Sequence, residues 1–109
     1  MELRFVAADD ALLSPDFGRA SCRLGAYQAN PGACDRFFVA FEQELKALGA
    51  RPHWGKDFRY GPEELAALVP NLARFEALRA SLDPRGVFES AFVRRVFAGV
   101  KADLRSPRP

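Results

Sequence analysis

The chain has 109 residues, 49% hydrophobic and 28% charged, which is the composition of one globular domain or a part of one. Its formal charge of +2 is small and its basic residues are scattered through amphipathic segments, except in the tail Lys101 to Pro109, so no nucleic-acid footprint is present. A single His leaves no metal ligand set, and no apolar run approaches the roughly 20 residues that cross a bilayer.

Glu2 to Ala8 alternates in period two and predicts a strand, with Leu3, Phe5 and Ala7 on one face and Glu2, Arg4 and Val6 on the other. Asp9-Asp10 and Ser14-Pro15-Asp16-Phe17-Gly18 supply turn chemistry. A second strand is expected from Ala20 to Gln28, placing Gly25 and Tyr27 on one face. Asn30-Pro31 starts a helix, Asn as cap and Pro at the first helical position, and Gly49 ends it. In that helix Phe37, Phe38 and Phe41 form an aromatic stripe suited to a core, and Glu42 and Lys46 pair one turn apart. Arg51 to Lys56 is expected as a short third strand.

Gly61-Pro62-Glu63-Glu64 opens a second helix that Pro70 interrupts. A third carries Leu72, Phe75, Leu78 and Leu82 on one side and closes at Asp83-Pro84-Arg85-Gly86. Ser90 caps a last short helix with Phe92, Val96 and Phe97. The order gives an α+β fold, a small antiparallel sheet with helices packed on one face. Residues 1–100 form the domain and 101–109 a disordered tail. Cys22 and Cys34 lack CxxC spacing and read as reduced thiols; with no leader pattern after Met1, the expected compartment is cytoplasmic.

Four places carry candidate chemistry. Glu2 and Arg4, two apart in a strand, point the same way and lie about 6.5–7 Å apart. They suit either one oxygen-rich ligand or a surface ion pair. Arg51-Pro52-His53-Trp54-Gly55-Lys56 gathers the only His, the only Trp and a Lys. A desolvated Lys56 stabilises developing negative charge; the reading composition alone favours has Trp54 in the core, His53 satisfying a backbone group and Lys56 in solvent. Tyr27 offers a hydroxyl beside Gly25, which leaves room, or lies on a plain sheet surface. Arg94-Arg95 suits a solvated helix face or a dinucleotide phosphate.

Together these segments resemble one family. Glu2-Leu3-Arg4-Phe5-Val6-Ala7-Ala8-Asp9-Asp10, Leu13-Ser14-Pro15 and Phe17-Gly18-Arg19 resemble its E-x-R strand and following turn. Pro52-His53-Trp54-Gly55-Lys56 resembles its PHWGK signature, and Leu82-Asp83-Pro84-Arg85-Gly86-Val87-Phe88 with Arg94-Arg95-Val96-Phe97 its closing segment. The family is that of the aldonolactone and alditol oxidases, D-arabinono-1,4-lactone oxidase among them, a branch of the vanillyl-alcohol-oxidase type of flavoproteins. The resemblance implies FAD as cofactor and oxidation of a sugar lactone or alditol CH–OH group, with hydride passing to the flavin and oxygen reoxidising it. It implies Arg4 and Lys56 as catalytic cations and Glu2, Arg4, Tyr27 and Lys56 as substrate-binding. His53 and Lys56 would touch the cofactor.

In this family the flavin domain precedes the resembling region, and here no glycine-rich phosphate loop or flavin-linking His stands ahead of Glu2. The chain is therefore expected to be the C-terminal substrate (cap) domain segment, inactive and weak in FAD binding without a flavin-binding domain or subunit. The alternative is a non-catalytic interaction or dimerisation module derived from that fold, acting as a homodimer.

Overall fold

A computed structural model of the chain describes residues 1–100, so the tail expected at 101–109 lies outside the described residues. The element order is β1 (Glu2–Val6), β2 (Ser21–Gly25), α1 (Pro31–Ala47), α2 (Pro62–Leu68), α3 (Leu72–Leu82) and α4 (Ala91–Phe97). Among the described residues this is an α+β fold built on a two-stranded antiparallel sheet and four helices. No helix of the described residues is long and apolar enough to cross a membrane. The chain divides into two compact units, residues 1–10 with 15–59, and residues 11–14 with the chain from Tyr60 on.

In the first unit β1 and β2 pair from Glu2 opposite Gly25 to Val6 opposite Ser21. Directly opposed residues share a face. Leu3, Phe5, Cys22 and Leu24 therefore form one face, and Glu2, Arg4, Val6, Ser21, Arg23 and Gly25 the other. All four residues of the apolar face are exposed, Phe5 at 86%. Both strands are shorter than periodicity predicts. β2 stops at Gly25 because its partner runs out at Glu2, so Tyr27 lies just past the strand rather than in it.

Past β1 the chain turns: Asp9 N donates to Asp16 O at 3.2 Å and Gly18 N to Asp9 O at 3.0 Å, with Gly18 at φ 69°. Phe17 and Asp16 are buried there. The Asn30 side chain caps α1 by accepting from Gly32 N at 3.0 Å, with Pro31 in the first turn. Phe37 stacks on Phe41 at 5.9 Å and meets Phe38 edge-on at 5.2 Å. Lys46 and Glu42 pair at 3.5 Å, one turn apart. Gly49, at φ 67°, ends the helix, and Arg19 donates to its carbonyl at 3.0 Å.

Residues 51–56 correct the expectation of a third strand: they form no strand and end in a turn. Pro52 has no N–H to give a ladder. The backbone closes locally instead, Lys56 N donating to His53 O at 3.0 Å. Arg51 anchors the segment by donating to the carbonyls of Phe17 (2.8 Å) and Pro15 (3.1 Å). Downstream, Arg59 N donates to Glu42 Oε2 of α1 at 2.8 Å.

In the second unit Glu64 reaches back to accept from Gly61 N at 2.7 Å at the start of α2. Pro70 cannot continue that helix, and α3 begins at Leu72. α2 packs on both α3 and α4, and Leu65, Val69, Leu72 and Val96 are buried there together with Tyr60. The α3 stripe is graded, from buried Leu72 to exposed Leu78 and Leu82. Asp83 closes the following turn by accepting from Val87 N and Phe88 N, both at 2.8 Å. Ser90 Oγ caps α4 by accepting from Val93 N at 3.2 Å.

Candidate functional site

The polar face of the β1–β2 pair brings three of the sequence-predicted residues together. Glu2 and Arg4 form an ion pair, Arg4 reaching Oε1 through both Nε and Nη2. From beyond β2 the Tyr27 hydroxyl donates to Glu2 Oε2 at 3.1 Å. Hydrogen bonding from Arg4, then from Tyr27, holds the Glu2 carboxyl below the usual carboxylate range, so it is an anion at neutral pH. The Arg4 side chain is 70% exposed, so its remaining N–H groups face solvent while its position is fixed by Glu2.

Gly25 stands directly opposite Glu2. A Cβ there would lie 3.5 Å from both Glu2 Cβ and Oε2, and 3.7 Å from the Tyr27 hydroxyl. The missing side chain is thus what leaves this side of the carboxylate open.

Arg4 sits opposite Arg23 in the register, and like charges so placed repel. Each has its own counter-ion. Arg23 pairs with buried Asp16, which also accepts from the Ser21 hydroxyl. Arg23 is the main cause that holds the Asp16 carboxyl below its ordinary range, with Ser21 adding to it. Sequence reading treated Asp16 only as a turn residue. The signal that could have found it is the Arg4–Arg23 opposition, which calls for a second acid.

His53 and Lys56 occupy a different place, the turn after α1. His53 Nδ1 accepts from Gly55 N at 3.0 Å, and this ring nitrogen is the one that shapes the turn. Both side chains are exposed. Trp54 is half-buried and meets Phe58 edge-on at 6.0 Å. Among the described residues, no hydrogen bond or ion pair joins Lys56 or His53 to Glu2, Arg4 or Tyr27. The chain therefore presents two polar stations: an acid–guanidinium–hydroxyl ledge, and a cationic turn. No three His, Cys, Asp or Glu side chains of the described residues converge as a metal site.

Of the pair on α4, Arg94 donates to Glu89 O at 3.1 Å, and Arg95 to Tyr60 O at 3.3 Å while lying over the Phe92 ring. Both serve the fold around α4.

The ledge and the turn fall within one family signature, since the sequence profile of D-arabinono-1,4-lactone oxidase matches residues 1–96. The chain belongs to that family. Relatives of the D-arabinono-1,4-lactone oxidase family agree with the match. L-gulonolactone oxidase of Bos taurus is 37% identical over 101 residues, which are 89% of this chain and 23% of that protein. L-gulono-1,4-lactone dehydrogenase of Mycobacterium tuberculosis is 36% identical over 96 residues, 88% of this chain and 22% of its own length. Alditol oxidase of a Streptomyces species is 37% identical over 99 residues, 90% of this chain and 24% of the relative. The chain spans about a quarter of the length of these members of the D-arabinono-1,4-lactone oxidase family.

Proposed function

We propose that this chain is the substrate-holding part of an FAD-dependent oxidoreductase that oxidises a CH–OH group of a sugar lactone or an alditol, with oxygen as acceptor. The observation that carries the reading is the Glu2–Arg4–Tyr27 ledge in a chain of this family. A fixed carboxylate, an oriented guanidinium and a phenolic hydroxyl are the donors and acceptors that a polyhydroxylated substrate matches.

Glu2 accepts from substrate hydroxyls, and Arg4 donates to substrate oxygens from the N–H groups left over by its ion pair. Tyr27 holds the Glu2 carboxylate and walls the site. Lys56 supplies a second cation for the negative charge that develops as the CH–OH group is oxidised, and His53 fixes the turn that presents it. Arg4 and Lys56 are exposed cations on separate stations, and each suits the electron-rich edge of a flavin ring. When bound, FAD supplies the two-electron acceptor.

The flavin-bearing part is read as a further domain or a partner subunit, because the chain accounts for about a quarter of its relatives' length. The open Leu3, Phe5, Cys22 and Leu24 face suits burial against such a part. By itself the chain turns over nothing. A second reading, an interaction module that self-associates, draws on the same open face. Combining the chain with the flavin-bearing part and offering L-gulono-1,4-lactone or sorbitol without oxygen separates the two. Bleaching of the flavin band supports the oxidase, whereas an unreduced flavin with a self-associating chain supports the module.

A further inference from the structure

A glycine at a paired strand position weakens the strand, because it adds chain entropy and packs nothing. Gly25 is the last residue of β2, paired with Glu2, and its backbone gives no reason for a glycine. The glycines with positive φ are Gly18, Gly49, Gly86 and Gly99, and Gly25 is not among them. What Gly25 provides is space at one point: beside Glu2 Oε2.

The state of that oxygen gives the space a use. A carboxylate offers about four acceptor positions, two on each oxygen. Arg4 fills Oε1 with two N–H groups. Tyr27 takes one position on Oε2 and leaves the other. Having donated its proton, the hydroxyl of Tyr27, a residue 70% exposed, still accepts. Free N–H groups of Arg4 complete a row of acceptor, acceptor and donor.

We propose that Gly25 is the specificity-determining position of this ledge: its bare backbone admits a hydroxyl-bearing carbon of a polyol or sugar lactone to Glu2 Oε2. A neighbouring hydroxyl on the same ligand accepts from Arg4, since each hydroxyl both donates and accepts. A side chain no larger than Cβ stands at ordinary contact distance from Oε2 and Tyr27 and narrows the approach. A branched one occupies it. Substrate choice is thus set by what is missing opposite Glu2. The inference rests on the reading of the chain as a lactone- or alditol-holding part.

The test is a titration of the isotope-labelled full chain with sorbitol and with L-gulono-1,4-lactone, following the amide signals of Leu3, Gly25 and Tyr27. Wild type is expected to show saturable shifts at these signals. Gly25→Ala binds severalfold more weakly. Gly25→Val loses about tenfold or more, equivalent to one lost contact to a charged group. It also melts at the same or a higher temperature, because Val favours a strand. Equal binding by wild type and a folded Gly25→Val overturns this inference alone and leaves the oxidase reading standing. If Gly25→Val fails to fold, Gly25→Ala decides, and unchanged affinity overturns the inference. Absence of saturable shifts in wild type overturns both together.

Discussion

Arg4 lies directly opposite Arg23 across the β1–β2 pair, and the two guanidiniums are held by separate carboxylates, Glu2 outside and Asp16 within. The polar face is thus a pair of ion pairs whose members are matched within reach of one another. One pair faces solvent. The other is anchored in the turn around Phe17 and keeps the strands in register.

Asp16 is accordingly expected to be structural. Asp16→Ala leaves Arg23 opposite Arg4 without its counter-ion and should lower stability by about 1–3 kcal/mol. Urea unfolding measures this. The double variant Asp16→Ala/Arg23→Met should lose less than Asp16→Ala does, because removing both partners leaves no orphaned charge.

Acid should weaken the fold in a defined window. The Asp16 and Asp83 carboxyls sit below their usual range, Asp16 chiefly through Arg23 and Asp83 chiefly through the Phe88 N–H. A carboxyl depressed in the folded state contributes stability above its unfolded pKa of about 4, lost as pH falls through the folded value. Thermal midpoints should be flat from neutrality to about pH 5 and fall below about pH 4. The fall should be shallower in Asp16→Asn.

The core of the second unit is narrow. Leu65 is fully buried on α2, so Leu65→Ala should cost about 2–5 kcal/mol in denaturant unfolding. Leu82→Ala, at an exposed position of α3, should stay within about 0.5 kcal/mol of the wild type.

Lys56 should show the opposite signature. It is exposed, so Lys56→Met should leave stability within about 0.5 kcal/mol. In the chain joined to its flavin-bearing part, the same change should slow flavin reduction by roughly 10²–10³-fold, as removal of one charge-stabilising group does. Stopped-flow absorbance reads the rate.

The helices were legible because their ends are written in local chemistry: Asn30-Pro31, Gly61-Pro62 and Ser90 each sit where a helix begins. Period-two alternation located both strands and put Glu2 and Arg4 on one face. Register was not legible, since it depends on which residues meet across the sheet. Hence Gly25 opposite Glu2, Arg23 opposite Arg4 and the role of Asp16 appeared only in three dimensions. The segment 51–56 misled because extended composition resembles a strand until one asks where a Pro-containing ladder would find its donors. Chain order placed Pro52-His53-Trp54-Gly55-Lys56 in one turn, yet local pattern cannot say what Lys56 faces.

A crystal structure of the chain with its flavin-bearing part and a bound aldonolactone or alditol would locate the Lys56 ammonium against the ligand held by Glu2 and Arg4. Lys56 Nζ and the Arg4 guanidinium are expected within hydrogen-bond reach of the same ligand, beside the flavin ring. A ligand seated elsewhere, with Lys56 in open solvent, would overturn the oxidase reading.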